Sequence, residues 1–161
     1  MIVPFLIAAA GAAAAPPLIP ALAPMAPLVG HCWAADLPGG QRDVHCFEAM
    51  FEGRFVRDRH EVSGGGVQHL GETVYGVEAG KVAYTYWSSD GETMRGTMRG
   101  DGPRLDFGES PVRGPAGAET RLRTEWLLAD RGYDARWTSP DPRLNRSMHY
   151  VRIEAPARAG K

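Results

Sequence analysis

Lysine is almost missing from this 161-residue chain: Lys81 and Lys161 are the only two among 18 basic residues, set against 19 acidic ones. The formal net charge is −1. No electrostatic argument therefore favours a nucleic-acid partner or an anionic membrane surface. Cysteine occurs only twice. No stretch repeats apolar residues at the helical period, so helices are not expected to build the core. Charge is absent before Asp36, yet the apolar run at 2–15, IVPFLIAAAGAAAA, is too short for an integral span. A membrane helix needs about 20 such residues.

Catalytic signatures are missing as well. His60-Glu61-Val62-Ser63-Gly64 begins like a zincin helix but lacks the second histidine and lies in a strand pattern. Gly108-Glu109-Ser110-Pro111-Val112 lacks the final glycine of a nucleophile elbow. Gly64-Gly65-Gly66 and Gly100-Asp101-Gly102 follow strands but open no helix, so they are turns and not phosphate cradles. No pair of carboxylates stands out as acid and base. Nothing here assigns a catalytic residue or a cofactor.

What the chain does contain is period two. Ten short segments alternate or carry β-branched and aromatic residues, with Gly, Asp, Asn or Pro between them. They predict strands near 28–34, 43–50, 53–63, 67–78, 81–89, 92–99, 103–109, 119–129, 132–138 and 144–154. The expected fold is all-β, an antiparallel up-and-down barrel of about ten strands, because a meander of this length avoids open edges by closing. Leu28-Val29-Gly30-His31-Cys32-Trp33, a glycine shortly before a tryptophan, resembles the opening of lipocalin and calycin barrels. The blocks HCFEAMFEGRFVRDRHEV (45–62) and GETVYGVEAGKVAYTYWSSDG (71–91) are similar to uncharacterised exported bacterial proteins with such barrels. The resemblance implies the barrel and a central cavity, but neither a ligand nor a reaction.

The N-terminal run has the length and small-residue tail of a signal-peptide core, with Ala12-Ala13-Ala14 as the expected cleavage site. The expected organisation is a signal peptide at 1–14, an extended Pro/Ala-rich leader at 15–27, a barrel at 28–155 and a disordered tail at 156–161. Such a protein is periplasmic or secreted.

Export bears on the two cysteines. A hairpin centred on Gly39 sets Cys32 opposite Cys46, within disulfide reach in an oxidising compartment. The alternative is two buried free thiols. A tetrahedral zinc site on His31-Cys32 and His45-Cys46 is not expected, since strand neighbours point to opposite faces. His31 and His45 are read as satisfied polar residues beside Trp33 and Phe47, and no metal site is assigned. His149 is a minor candidate as a haem ligand.

Three turns carry the register onward. Ala79-Gly80 pairs Tyr75 with Tyr84 and Thr73 with Tyr86, and sets Glu78 against Lys81 as an ion pair. Asp90-Gly91, taken as a two-residue turn, pairs Tyr86 with Arg95. A three-glycine loop centred on Gly65 pairs Arg57 with Thr73. One face then carries Arg57, Arg59, Tyr75, Tyr84, Tyr86 and Arg95. The other carries Val56, Trp87, Met94 and Met98, with Asp58 and His60. Two assignments are open. If the Tyr/Arg face lines the barrel, those six residues bind a small amphipathic or apolar ligand, with the arginines taking an anionic head. If the Trp/Met face is the core, the protein is a structural or interaction module of the cell envelope, with a filled barrel and no ligand. N-terminal sequencing of the exported protein should begin after Ala14, and an intact Met1 would overturn the processing expectation.

Overall fold

The computed structural model describes residues 17–155. The expected signal peptide at 1–14 and the tail at 156–161 lie outside these residues. Ten strands follow in order: β1 (Cys32–Leu37), β2 (Gln41–Met50), β3 (Phe55–Gly64), β4 (Val67–Glu78), β5 (Lys81–Ser88), β6 (Thr93–Asp101), β7 (Arg104–Arg113), β8 (Glu119–Ala129), β9 (Gly132–Thr138) and β10 (Arg146–Ile153). Each pairs antiparallel with its sequence neighbours, and β10 returns to β1 to close the barrel. The expected all-β up-and-down barrel is the observed one. No helix among the described residues is long and apolar enough to cross a membrane.

Alternation along each strand separates inside from outside. Closure depends on a short seam, Cys32↔Ile153, Trp33↔Arg152 and Ala34↔Val151. On its other side β1 pairs fully with β2, with Cys32 directly opposite Cys46, and the two cysteines form a disulfide. The Gly39-centred hairpin thus has the expected register.

Two other turns do not. Gly64 pairs with Val67, so the loop is the two residues Gly65-Gly66, with φ of 59° and 81°. A tight turn with both central residues left-handed suits glycine and matches the strand twist. At the other, Trp87 pairs with Thr93, and Gly91 with φ 82° ends a three-residue loop after Ser88. The Ser88 N–H donates to the Glu92 carbonyl at 3.0 Å and closes that loop. Each turn therefore differs by one residue from the expected length, and a one-residue slip exchanges the faces of the strand beyond it. The Ala79-Gly80 turn has the expected register, Tyr75↔Tyr84 and Glu78↔Lys81. The Glu78 carboxylate, however, accepts from Arg95 at 2.7 Å and not from Lys81.

The leader is not extended throughout. Pro20–Met25 form a 3-10 helix. Leu22 and Met25 are three apart, on one face of such a helix, and are fully buried with Leu28 at one end of the barrel. The Ile19 N–H donates to the Gly53 carbonyl at 3.1 Å, and the Trp33 indole donates to the Leu28 carbonyl at 3.3 Å. The gain from burying these apolar side chains, about 1.5–3 kcal/mol each, outweighs the extended preference of a Pro/Ala-rich sequence. The leader is the plug of the closed end.

Replacing both Cys32 and Cys46 by alanine should lower the unfolding free energy by about 3 kcal/mol, the chain-entropy value for a loop of about 15 residues. Denaturant titration of the oxidised protein and the double variant reads this directly. Thiol titration of the unfolded, unreduced protein should find no free thiol.

Candidate functional site

Two Asp-x-His triplets, Asp43-Val44-His45 on β2 and Asp58-Arg59-His60 on β3, set their acids and histidines on one face of adjacent strands. The register places His45 directly opposite His60, and Asp58 opposite Phe47. All four side chains point into the barrel. The two imidazoles stack, with centroids 4.6 Å apart and planes within 1°.

Asp58 is almost fully buried. Its oxygens lie 3.0 and 2.8 Å from His45 Nδ1. A carboxylate only accepts, so His45 donates from Nδ1 and turns Nε2 toward Asp43. Asp43 Oδ1 stands 3.5 Å from His45 Nε2 and 3.5 Å from His60 Nε2. Its Oδ2 accepts from the Tyr150 hydroxyl at 2.7 Å.

Electrostatics divides the two histidines. Burial opposes a charged ring at His45, but Asp58 on one side and Asp43 on the other outweigh it and raise its pKa to about 10. His60 is pushed down to about 3, by burial and then by the neighbouring His45 cation, with Asp43 recovering only part. Burial raises Asp43, yet the positive charge of His45 close by, with His60 and the hydrogen bond from Tyr150, brings its pKa below the usual carboxylate value. At neutral pH the cluster is one imidazolium between two acids, stacked on a neutral imidazole.

The cluster lies in the wall of a cavity of about 510 Å³. Above it the wall carries the apolar side chains of Val62, Met94, Val112, Leu122 and Trp137 between the polar ones of His69, Glu92 and Thr120, and Arg143, Leu144 and Arg146 stand at the mouth. The Arg146 guanidinium lies 4.9 Å over the Trp137 ring. Room for the large interior side chains comes from inward glycines. A Cβ at Gly71 would lie 2.7 Å from both His60 Nδ1 and Tyr86 Cε2. One at Gly96 would run into Ser110 Oγ, the acceptor of the Tyr84 hydroxyl. A register shift between Asp106 and Glu109, at Gly108, lets Phe107 and Ser110 both face inside. Among the described residues, the buried polar atoms without a partner are Asp43 Oδ1, Thr124 Oγ1, Trp126 Nε1 and the Tyr133 hydroxyl. The first three belong to residues of the cavity wall.

The predicted site divides accordingly. Tyr75, Tyr84 and Tyr86 line the cavity, Tyr75 and Tyr84 deeply buried. Arg57, Arg59 and Arg95 do not join them. Arg57 pairs with Glu48, the Arg59 guanidinium lies 3.9 Å from the same carboxylate, and Arg95 pairs with Glu78. The physical reason is the one-residue difference at each of two turns. It places Asp58 opposite Thr73 and Met94 opposite Tyr86, where Arg57 and Arg95 were expected. Trp87 is half exposed, while Val56 and Met98 are buried, so the interior combines halves of both expected faces. His149 points outward and bonds Asp134 at 2.7 Å, which removes it from the cavity. His45 is a satisfied interior residue beside Phe47, as expected. The cluster it belongs to was not foreseen, although the repeated Asp-x-His triplet on adjacent strands was its signal.

Comparison with protein-family models and with curated proteins finds no match. Asp58→Ala should cost about 3–5 kcal/mol of stability, because it leaves a buried imidazolium without its main partner. Arg57→Ala, its outward neighbour, should cost less than about 1 kcal/mol. Chemical denaturation of the two variants would reverse this order if Arg57 were the interior residue.

Proposed function

We propose that this is an exported binding protein that holds a small amphipathic molecule in the barrel cavity, polar end inward. The observation that carries it is a cavity of about 510 Å³ whose wall includes buried polar atoms with no protein partner. Sites for small molecules are of this size, mostly apolar, with a few convergent polar groups. The Trp126 indole N–H and the Thr124 hydroxyl are donors and Asp43 Oδ1 only accepts, so the polar end carries an acceptor oxygen and a hydrogen to give, as a hydroxyl or protonated carboxyl group does. Its apolar body lies along Val62, Met94, Val112 and Leu122 toward the mouth. Arg143 and Arg146, and not Arg57, Arg59 or Arg95, are the arginines that a ligand reaches. A filled structural barrel is disfavoured by the same volume. The disulfide and the apolar N-terminal run support an oxidising, exported setting.

The experiment uses anilinonaphthalene sulfonate as an amphipathic probe, with fluorescence reporting occupancy. Leu122→Trp and Met94→Trp fill the cavity and should each weaken binding by at least about tenfold, or 1.4 kcal/mol. Arg57→Ala, Arg59→Ala and Arg95→Ala should leave it unchanged. Absence of saturable binding, or binding indifferent to both tryptophan substitutions, would overturn the reading.

A further inference from the structure

We propose that Asp43, His45 and His60 form a binding site for a single divalent transition-metal ion, of the zinc, cobalt or iron class, set in the cavity wall. The three candidate ligand atoms lie within 4.8 Å of one another. Both histidine Nε2 atoms stand 3.5 Å from Asp43 Oδ1. A point equidistant from atoms so spaced is within about 2.4 Å of each, so ordinary metal–ligand lengths of about 2.0–2.2 Å need a contraction of a few tenths of an ångström together with a tilt of the two stacked rings that turns their in-plane lone pairs onto the ion.

The surroundings of the three side chains have the form that metal ligation requires. Asp58 takes the Nδ1–H of His45 at 2.8 Å, so the ion binds at Nε2 and displaces the proton held there. A carboxylate behind a ligating histidine is the usual outer partner of such a site. Tyr150 occupies Oδ2 of Asp43 at 2.7 Å and leaves Oδ1, a buried oxygen with no hydrogen-bond partner, for the ion. His60 lies against Gly71 on its Nδ1 side, and its Nε2 faces Asp43. A divalent ion here takes the place of the His45 proton as the positive charge beside the buried carboxylate.

Two imidazoles and one carboxylate suit borderline divalent ions and not the hard, all-oxygen preference of calcium or magnesium. Three protein ligands leave at least one coordination position, and only the cavity side has space for it. The site rests on Asp43, His45 and His60 alone and does not require the amphipathic ligand.

The test titrates the full chain, stripped with chelator, with Co²⁺ and then Zn²⁺. One equivalent of Co²⁺ should bind with visible ligand-field bands, and Zn²⁺ should displace it. Asp43→Asn and His60→Gln should each weaken Co²⁺ binding by at least about tenfold, and Asp58→Asn, through the orientation of His45, by about 10–100-fold. His149→Gln, on the outer surface, should leave it unchanged. Circular dichroism of the metal-free variants checks that they fold. In the wild-type protein the imidazole nitrogen resonances of His45 and His60 should shift on adding Zn²⁺ while those of His149 stay, which decides the matter even if a variant does not fold. No stoichiometric Co²⁺ binding, binding retained in folded Asp43→Asn and His60→Gln, or shifts confined to His149 would each overturn the site. Metal is titrated without organic probe and the probe without metal, so that either proposal fails alone.

Discussion

Closure of the barrel at β1 is the constraint on which the rest depends. This strand is held to β10 by three residue pairs and to β2 by six, with a disulfide at the start of the longer ladder. Once the seam is shut, no strand edge is left for another chain to pair with, and every strand acquires an inside. The same strand brings Trp33 beneath the leader, where its indole bonds the Leu28 carbonyl and its ring packs edge-on against Tyr133. Opening the seam would remove the plug, the apolar floor and the cavity wall together.

A ten-stranded ring encloses more volume than side chains fill with ease, since about eight strands already leave room for one small ligand. This chain divides the excess along the axis. The leader, through Leu22 and Met25, fills the closed end, in one packed core with Phe107 and Trp126. Beyond them a layer of acids, histidines and tyrosines faces space. Burying such groups is costly unless they bond one another, and most do: Asp58 with His45, Asp43 with Tyr150, Tyr84 with Ser110. Of the side-chain atoms left over among the described residues, all but the Tyr133 hydroxyl belong to residues of the cavity wall. Arg57, Arg59 and Arg95 stay on the outer surface, in pairs such as Arg57–Glu48 and Arg95–Glu78.

Much of the fold was legible in the chain. Period-two alternation located all ten strands, and the Gly39-centred turn placed Cys32 opposite Cys46. That Tyr75, Tyr84 and Tyr86 share one face followed from one correctly measured turn, Ala79-Gly80, while the choice of inside or outside stayed open. The site was legible only in part. Gly64-Gly65-Gly66 reads equally well as a loop of two residues or three, and Asp90-Gly91 equally well as a whole turn or the end of a longer one. The first difference puts Asp58 and His60 on the inner face in place of Arg57 and Arg59, and the second puts Met94 there in place of Arg95.

By itself, the sequence determined the architecture, the strand positions, the cysteine pairing and the absence of a long core helix. These rest on local periodicity and turn chemistry, which neighbouring residues carry between them. Only the tertiary structure decided which alternating face lies inside, that Leu22 and Met25 plug the barrel, and that Asp43, His45, Asp58 and His60 meet. Side-chain direction accumulates along the chain of hairpins, so a single unresolved residue at a turn inverts the strand beyond it. Closing the ring selects the register that buries Val56 and Met98 and leaves Arg57 and Arg95 in water, because a buried unpaired guanidinium costs far more than a buried histidine bonded to an acid.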